Sequence, residues 1–189
     1  CIEYNTVDFI YKGQKVYPLY GIDFGFSSDP TAIIELFILD NDIIYINREI
    51  YEHKLLITDY IATIEKHMPE SLKKKFSCDS ARPDSIAQLN YFGLNAEPAL
   101  KNKGSIEAGI EYLKGKQIII NPNCKHTIYE FYNYRYKIDK NTSQITTDII
   151  DANNHIIDSV RYGLHKQISQ SRRKINVSDK LIQNISSWR

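Results

Sequence analysis

Three aspartates stand where a carboxylate needs an explanation. The first lies in Tyr20-Gly21-Ile22-Asp23-Phe24-Gly25. Side chains alternate along a strand, so Tyr20, Ile22 and Phe24 share one face and Gly21, Asp23 and Gly25 the other. Burying an unpaired acid is expensive, and the flanking glycines leave space for something bulky to approach the carboxylate. The plainer alternative is that Asp23 caps the following turn. The second is Asp79, at the carboxyl end of the run Phe76-Ser77-Cys78 and just ahead of Arg82-Pro83-Asp84. Ligands of open α/β sheets bind beyond such strand ends. An acid there also suits a helix N-cap, a role that Ser80 or Asp84 would equally fill. The third is Asp158, three residues after His155. At about 100° per residue, Ile156, Ile157, Val160, Leu164 and Ile168 form one apolar stripe. His155, Asp158 and Tyr162 fall off it, as a shared site or as a solvated face.

If a first strand, a later strand and a final helix bring these acids together, each carboxylate raises its neighbours' pKa unless cations intervene. Hard divalent ions such as Mg²⁺ or Mn²⁺ favour such oxygen-rich ligand sets. Two of them about 3.5–4 Å apart stabilise both the attacking and the leaving oxygen of an in-line phosphoryl displacement. The chemistry implied is hydrolysis of a phosphodiester.

The elements that must position these residues read as follows. Residues 1–16 are a polar lead-in, a strand or linker that ends near Gly13. Tyr17–Gly25 has strand composition and closes on a Gly-Phe-Ser-Ser-Asp-Pro turn. Thr31–Leu39 and Ile43–Tyr51 are β-branched runs hinged at Asp40-Asn41-Asp42, the pattern of an antiparallel hairpin. Strands and helices then alternate. Helices are predicted over Ile57–Met68, Pro83–Phe92, Ser105–Leu113 and Asn153–Ile168, and strands over Phe76–Asp79, Leu94–Leu100 and Gln117–Asn121. A second hairpin, Tyr134–Ile138 with Ile145–Ile150, surrounds Asp139–Gln144. The whole argues an α/β fold: a mixed central sheet with one antiparallel strand, helices on both faces and an added β-hairpin. Residues 169–189 are polar, a C-terminal tail or a short helix over Asp179–Ile185.

Composition narrows the function. The 189 residues carry 24 Lys plus Arg against 23 Asp plus Glu, a net charge of +1, which excludes a polycation that binds nucleic acid by bulk charge alone. With 12% aromatics and 42% hydrophobic residues, it is no acidic disordered segment. No apolar run approaches the ~18 residues of a membrane span, so no membrane partner is expected. Cys1, Cys78 and Cys124 are widely spaced and form no CxxC, which reads as reduced thiols. The only methionine is Met68, so the chain reads as a piece of something longer.

The segments GIDFGFSSDPTA, CDSARPDSI, ALKNKGSIEAGIEYL and HIIDSVRYGL, in this order over about residues 17–168, resemble the carboxyl-terminal nuclease domain of the large terminase subunits of tailed phages, which package viral DNA. The resemblance implies an RNase H-like domain over residues 1–168 and an endonuclease that cuts concatemeric double-stranded DNA during packaging. It implies two Mg²⁺ or Mn²⁺ ions held by Asp23, Asp79 and Asp158, with Asp23 bridging them. His155 would orient the attacking water or ligate the second ion. Lys101, Lys103 and Arg82 are candidate phosphate contacts; two solvated surface lysines are the alternative for Lys101 and Lys103. The hairpin with Arg135, Lys137 and Lys140 matches an element that flanks the cleft in this family; a plain sheet edge is the alternative. Tyr129, Tyr132, Tyr134 and Tyr136 read as core and hairpin packing in preference to base stacking, and His53, His67, His126 and His165 as residues without acid partners. The implied partners are double-stranded DNA, an upstream ATPase domain, the portal protein and the small terminase, in the host cytoplasm and transiently at the procapsid portal. The chain contains no GxxxxGK[ST] phosphate loop. Another RNase H-like enzyme, such as a junction resolvase or ribonuclease, and a non-catalytic packaging module are the competing readings.

Overall fold

The computed structural model describes residues 3–4, 9–134, 136–138, 145–149 and 154–173, of which 3–4, 136–138 and 145–149 are described by backbone alone. Three short strands, β1 (Glu3–Tyr4), β2 (Phe9–Tyr11) and β3 (Gln14–Val16), form an antiparallel sheet where a single lead-in strand or linker was expected. Gly13, at φ 76°, supplies the left-handed turn between β2 and β3. This sheet is held by aromatic packing: Phe9 stacks on Phe37 with ring centroids 4.1 Å apart, and Tyr11 and Val16 join the same cluster around Leu39 and Tyr45.

The central sheet comprises β4 (Leu19–Asp23), β5 (Thr31–Leu39), β6 (Ile43–Glu52), β7 (Lys75–Cys78), β8 (Asn95–Pro98) and β9 (Gln117–Ile120). Their order is β8-β7-β4-β5-β6-β9. Only β5 runs against its neighbours; β4–β7, β7–β8 and β6–β9 pair in parallel. The expected mixed sheet with one antiparallel strand is therefore what forms. Asp40 and Asn41 turn the β5–β6 hairpin at φ 52° and 63°, a left-handed conformation that short Asx side chains tolerate.

Helices cover both faces because the long strands β5 and β6 bury apolar residues on both sides of the sheet. On one face, α1 (Tyr60–His67) and α2 (Pro83–Tyr91) pack Tyr60, Ile64, Ile86 and Leu89 against Tyr20, Ile22, Ile33 and Phe76. The other face carries α3 (Ser105–Lys114), α4 (Lys125–Asn133) and α5 (His155–Gly163), with a further helix, α6, over 165–173 after a break at Leu164. There Ile156, Ile157, Val160, Leu164 and Ile168 meet Ala32, Ile34, Leu36, Ile44 and Ile46, as the apolar stripe predicts. The predicted start of α1, Ile57–Asp59, is a 3₁₀ turn instead. The hairpin expected near residues 134–150 is present as β10 (Tyr136–Ile138) paired antiparallel with β11 (Ile145–Ile149).

Helix α4 has no counterpart in the sequence reading. The tyrosines of 129–136 read there as packing residues, but Tyr129 and Tyr132 are 55% and 89% exposed. The signal was present at helical spacing: Cys124, Thr127, Phe131 and Tyr134 recur at intervals of three and four and face inward.

Candidate metal centre

Strands β4 and β7 lie side by side and parallel, pairing Ile22 with Cys78. The Asp79 N–H donates to the Ile22 carbonyl at 3.0 Å. Asp23 and Asp79 therefore leave adjacent strand ends at the same edge of the sheet.

Helix α5 delivers the remaining candidates, and Gly21 allows it to. A Cβ at Gly21 would stand 1.9 Å from the Ser159 carbonyl oxygen, and one at Gly25 2.2 Å from the Pro30 oxygen. The space beside Asp23 is thus filled by the protein's own backbone, not left for a ligand as the glycine–acid–glycine pattern suggested. Ser159 Oγ donates to the Gly21 carbonyl at 3.1 Å and fastens the helix to the strand. The result puts His155 Nδ1 3.1 Å from Asp23 Oδ2, with Asp29 Oδ1 3.9 Å from the other ring nitrogen. No solvated face results, since Ser159, Arg161 and Tyr162 are buried along with the apolar stripe.

The amino-terminal turn of α5 is held from α4. Glu130 is 1% exposed, and its Oε2 accepts the N–H groups of Ile156 at 2.8 Å and Ile157 at 3.2 Å. The Asn154 side chain makes no capping bond, so a distant carboxylate does that work. Burial pushes the Glu130 carboxyl up to about 7, against the pull of those two N–H groups. Glu130 is not among the candidates that the sequence singles out, because α4 is not among the helices predicted from it.

Each aspartate has a cationic or ionisable neighbour. Lys101 Nζ donates to Asp79 Oδ1 at 3.0 Å, and the buried guanidinium of Arg161 donates to Asp158 Oδ1. Asp79 Oδ1 also accepts the Ala81 N–H at 3.0 Å, which holds its own turn. Neither Ser80 nor Asp84 caps α2, whose N-cap position is Arg82 with no side-chain capping bond. Burial pushes Asp23 up to about 6; Asp158 and Asp79 add to this by repulsion, while His155 opposes it. Burial also raises Asp158 in spite of Arg161. His155 is raised above the ordinary histidine range, chiefly by its bond to Asp23.

As placed, no three His, Cys, Asp or Glu side chains among the described residues converge closely enough to hold an ion, since Asp79 and Asp158 are turned onto Lys101 and Arg161. The donor set itself suits a hard divalent cation. Three shielded carboxylates, 13–20% exposed, lie within electrostatic reach of one another, and a doubly charged ion competes with single positive charges for the same oxygens.

The remaining candidates are spread more widely. Lys103 accepts, through its backbone oxygen, a hydrogen bond from Arg172 Nη1 at 3.2 Å. Arg82 is exposed, its Nε 3.8 Å from Asp84. Arg135 and Lys140 lie outside the described residues, as does the side chain of Lys137, whose backbone belongs to β10. Two histidines read as lacking acid partners have them across the fold. His126 Nδ1 is 3.0 Å from Glu49, and its ring stacks on Tyr51. His165 Nε2 is 3.5 Å from Glu97.

A six-stranded mixed sheet with one reversed strand, helices on both faces and acids at two adjacent strand ends defines an RNase H-like α/β domain. Within that class, the chain belongs to the terminase RNase H-like domain family, whose profile matches residues 23–166. Among solved structures it is similar to the nuclease domain of the g2p large terminase of bacteriophage SPP1, determined with bound Mn. Identity there is 28% and the TM-score 0.72, over 79% of this chain and 86% of that one. The nuclease domain of the P22 large terminase shares the fold at 20% identity and TM-score 0.64, over 80% and 81% of the two chains. So does that of thermophilic phage G20c, solved with bound magnesium, at 19% and 0.57 over 85% and 87%. Against the large terminase of another thermophilic bacteriophage, in complex with ATP-gamma-S, the match covers 84% of this chain and 41% of that one. No curated protein matches.

Proposed function

We propose that this chain is the metal-dependent endonuclease domain of a viral large terminase and cuts concatemeric double-stranded DNA during genome packaging. The observation that carries the reading is the meeting of Asp23 and His155, 132 residues apart in sequence, at 3.1 Å, beside the strand end that bears Asp79. Support comes also from family membership and from relatives solved with Mn and with magnesium.

Asp23, Asp79 and Asp158 would hold two Mg²⁺ or Mn²⁺ ions, with Asp23 shared between them. Bound there, such ions supply a water-derived nucleophile at neutral pH and stabilise charge on the attacking and leaving oxygens. The chain's own residues do the rest. His155, hydrogen-bonded to Asp23 through Nδ1, offers its other nitrogen to orient the attacking water or complete the second ion's ligands. Lys101, already turned toward the acids, places positive charge where a phosphate would lie. Glu130 and Ser159 fix the height and rotation of the helix that carries His155 and Asp158.

The expected setting is an upstream ATPase domain that delivers the DNA, in the host cytoplasm, with the portal protein and small terminase as partners. The near-neutral charge fits an enzyme whose substrate is threaded to it, because few phosphate contacts give weak free binding. The test is supercoiled plasmid with purified protein and Mn²⁺. Nicking and linearisation that disappear in Asp23→Asn are expected. Preference for branched DNA or for an RNA–DNA hybrid would reassign the substrate to a resolvase or ribonuclease. If neither this chain nor a longer one bearing the ATPase domain cleaves DNA with Mn²⁺ or Mg²⁺, the domain is a non-catalytic packaging module.

A further inference from the structure

Beside the acids, and separate from them, a cavity of about 50 Å³ opens between the loop after β8, the start of α3 and helix α6. Lys101, Asn102, Ser105, Arg161, His165 and Arg172 line it. We infer that it is a phosphate-binding subsite that seats a backbone phosphate of the DNA strand next to the one at the acids. The inference rests on the nuclease reading and adds to it a second anion site, which shares Lys101 and Arg161 with the acids and has Arg172 to itself.

Three cationic side chains from three elements border one small space. Lys101 and Arg161 are each paired with a carboxylate on the acid side, while Arg172 is bonded to a backbone carbonyl, which leaves its charge for an anion in the cavity. Helix α3 adds to the positive field. It is ten residues long, and its N-cap is Gly104 at φ 75°, which has no side chain to cap the first turn. The Arg172 guanidinium lies over that end: a Cβ on Gly104 would be 3.6 Å from Nη2, and Nη1 donates to the Lys103 carbonyl at 3.2 Å. Arg161, whose side chain is 5% exposed, has a buried Nε without a hydrogen-bond partner. His165 accepts the Leu100 N–H at Nδ1 and so holds the loop that carries Lys101. The carboxylates nearby are placed around these cations: Asp79 on Lys101, Asp158 on Arg161, and Glu107 in the first turn of α3.

The position selects a phosphate on the same strand. Lys101 and Arg161 each touch both this cavity and one of the candidate metal-holding acids. An anion in the cavity would therefore share Lys101 and Arg161 with a phosphate at the acids. A space of this size holds several waters, which a phosphate displaces.

Arg172 is exposed and outside the acid site, so its removal leaves the fold and the ion ligands in place. Binding of a labelled DNA duplex is measured in Ca²⁺ across a salt series for wild type, Arg172→Ala and Arg172→Lys, alongside calorimetric Mn²⁺ binding. Expected for Arg172→Ala is affinity about tenfold weaker, a salt slope shallower by about 1, partial recovery in Arg172→Lys and unchanged Mn²⁺ affinity. If wild type binds and cuts DNA while Arg172→Ala matches it in affinity and slope, the subsite is overturned and the nuclease reading stands. If Arg172→Ala abolishes binding of inorganic phosphate but leaves DNA binding untouched, the cavity belongs to free phosphate and the DNA subsite is equally overturned. If wild type neither binds nor cuts duplex DNA, the nuclease reading fails and takes the subsite with it.

Discussion

At Asp23, burial and two neighbouring carboxylates oppose ionisation, while one imidazole favours it. A carboxyl whose folded pKa is raised from 3.8 to about 6 takes up more protons folded than unfolded. Its contribution therefore favours the fold at low pH and is lost as pH rises from about 4 to about 6. Asp23→Asn removes that loss, so the metal-free variant should gain on wild type through this window, by roughly 2–3 kcal/mol at neutral pH. Thermal unfolding in chelator at pH 4, 5, 6 and 7 checks it; a gap that stays constant or narrows with pH contradicts the electrostatic account. Glu130 gives a second residue-level expectation. Replacing it with Ala leaves the Ile156 and Ile157 N–H groups unpaired and should cost about 1–3 kcal/mol. Glu130→Gln keeps an accepting oxygen and should lose much less. Denaturant titration of the two variants separates hydrogen bonding from side-chain volume.

Strand β4 and helix α5 are in backbone contact at Gly21, and this junction sets where His155 and Asp158 sit relative to Asp23. A methyl group there would meet the Ser159 carbonyl at 1.9 Å, and two elements fixed in a packed layer cannot both give way. Gly21→Ala should destabilise by about 3 kcal/mol or more and separate His155 from Asp23. Gly115→Ala is the control. A Cβ at Gly115 would meet only ordinary contacts, the nearest at 3.6 Å, so its denaturation midpoint should stay close to wild type. Equal midpoints for the two variants would mean that the β4–α5 approach is looser than the backbone indicates.

For the molecule as a whole, three apolar clusters, none of which includes Asp23, Asp79 or Asp158, hold the sheet and its helices together. Chelation should abolish cleavage and leave the fold intact. An ion bound only by the folded state stabilises it by about 2.7 kcal/mol at a hundred times its dissociation constant. Mn²⁺ should accordingly raise the melting temperature of wild type and leave that of Asp23→Asn almost unmoved. A rise of the same size in both would place the ion elsewhere.

Much of this was legible in the chain before any fold was known. Asp23, Asp79 and Asp158 stand out because residue type and local period are properties of neighbours in sequence: an acid between glycines, an acid closing an apolar run, an acid three residues after a histidine. The long β-branched runs of β5 and β6 and the stripe Ile156–Ile168 were readable for the same reason, since apolar spacing reports which face is buried. Helix α4 escaped because its tyrosines match an alternating pattern, and its true inward positions include the polar Thr127 and Glu130. What lies between distant segments needed the tertiary structure. It decided that Gly21 makes room for a helix and not a ligand, that Lys101 and Arg161 lean on Asp79 and Asp158, and that Glu130 holds the helix bearing His155. Charges and hydrogen bonds act over a few ångströms of space, and separation along the chain carries no record of which side chains folding will bring that close.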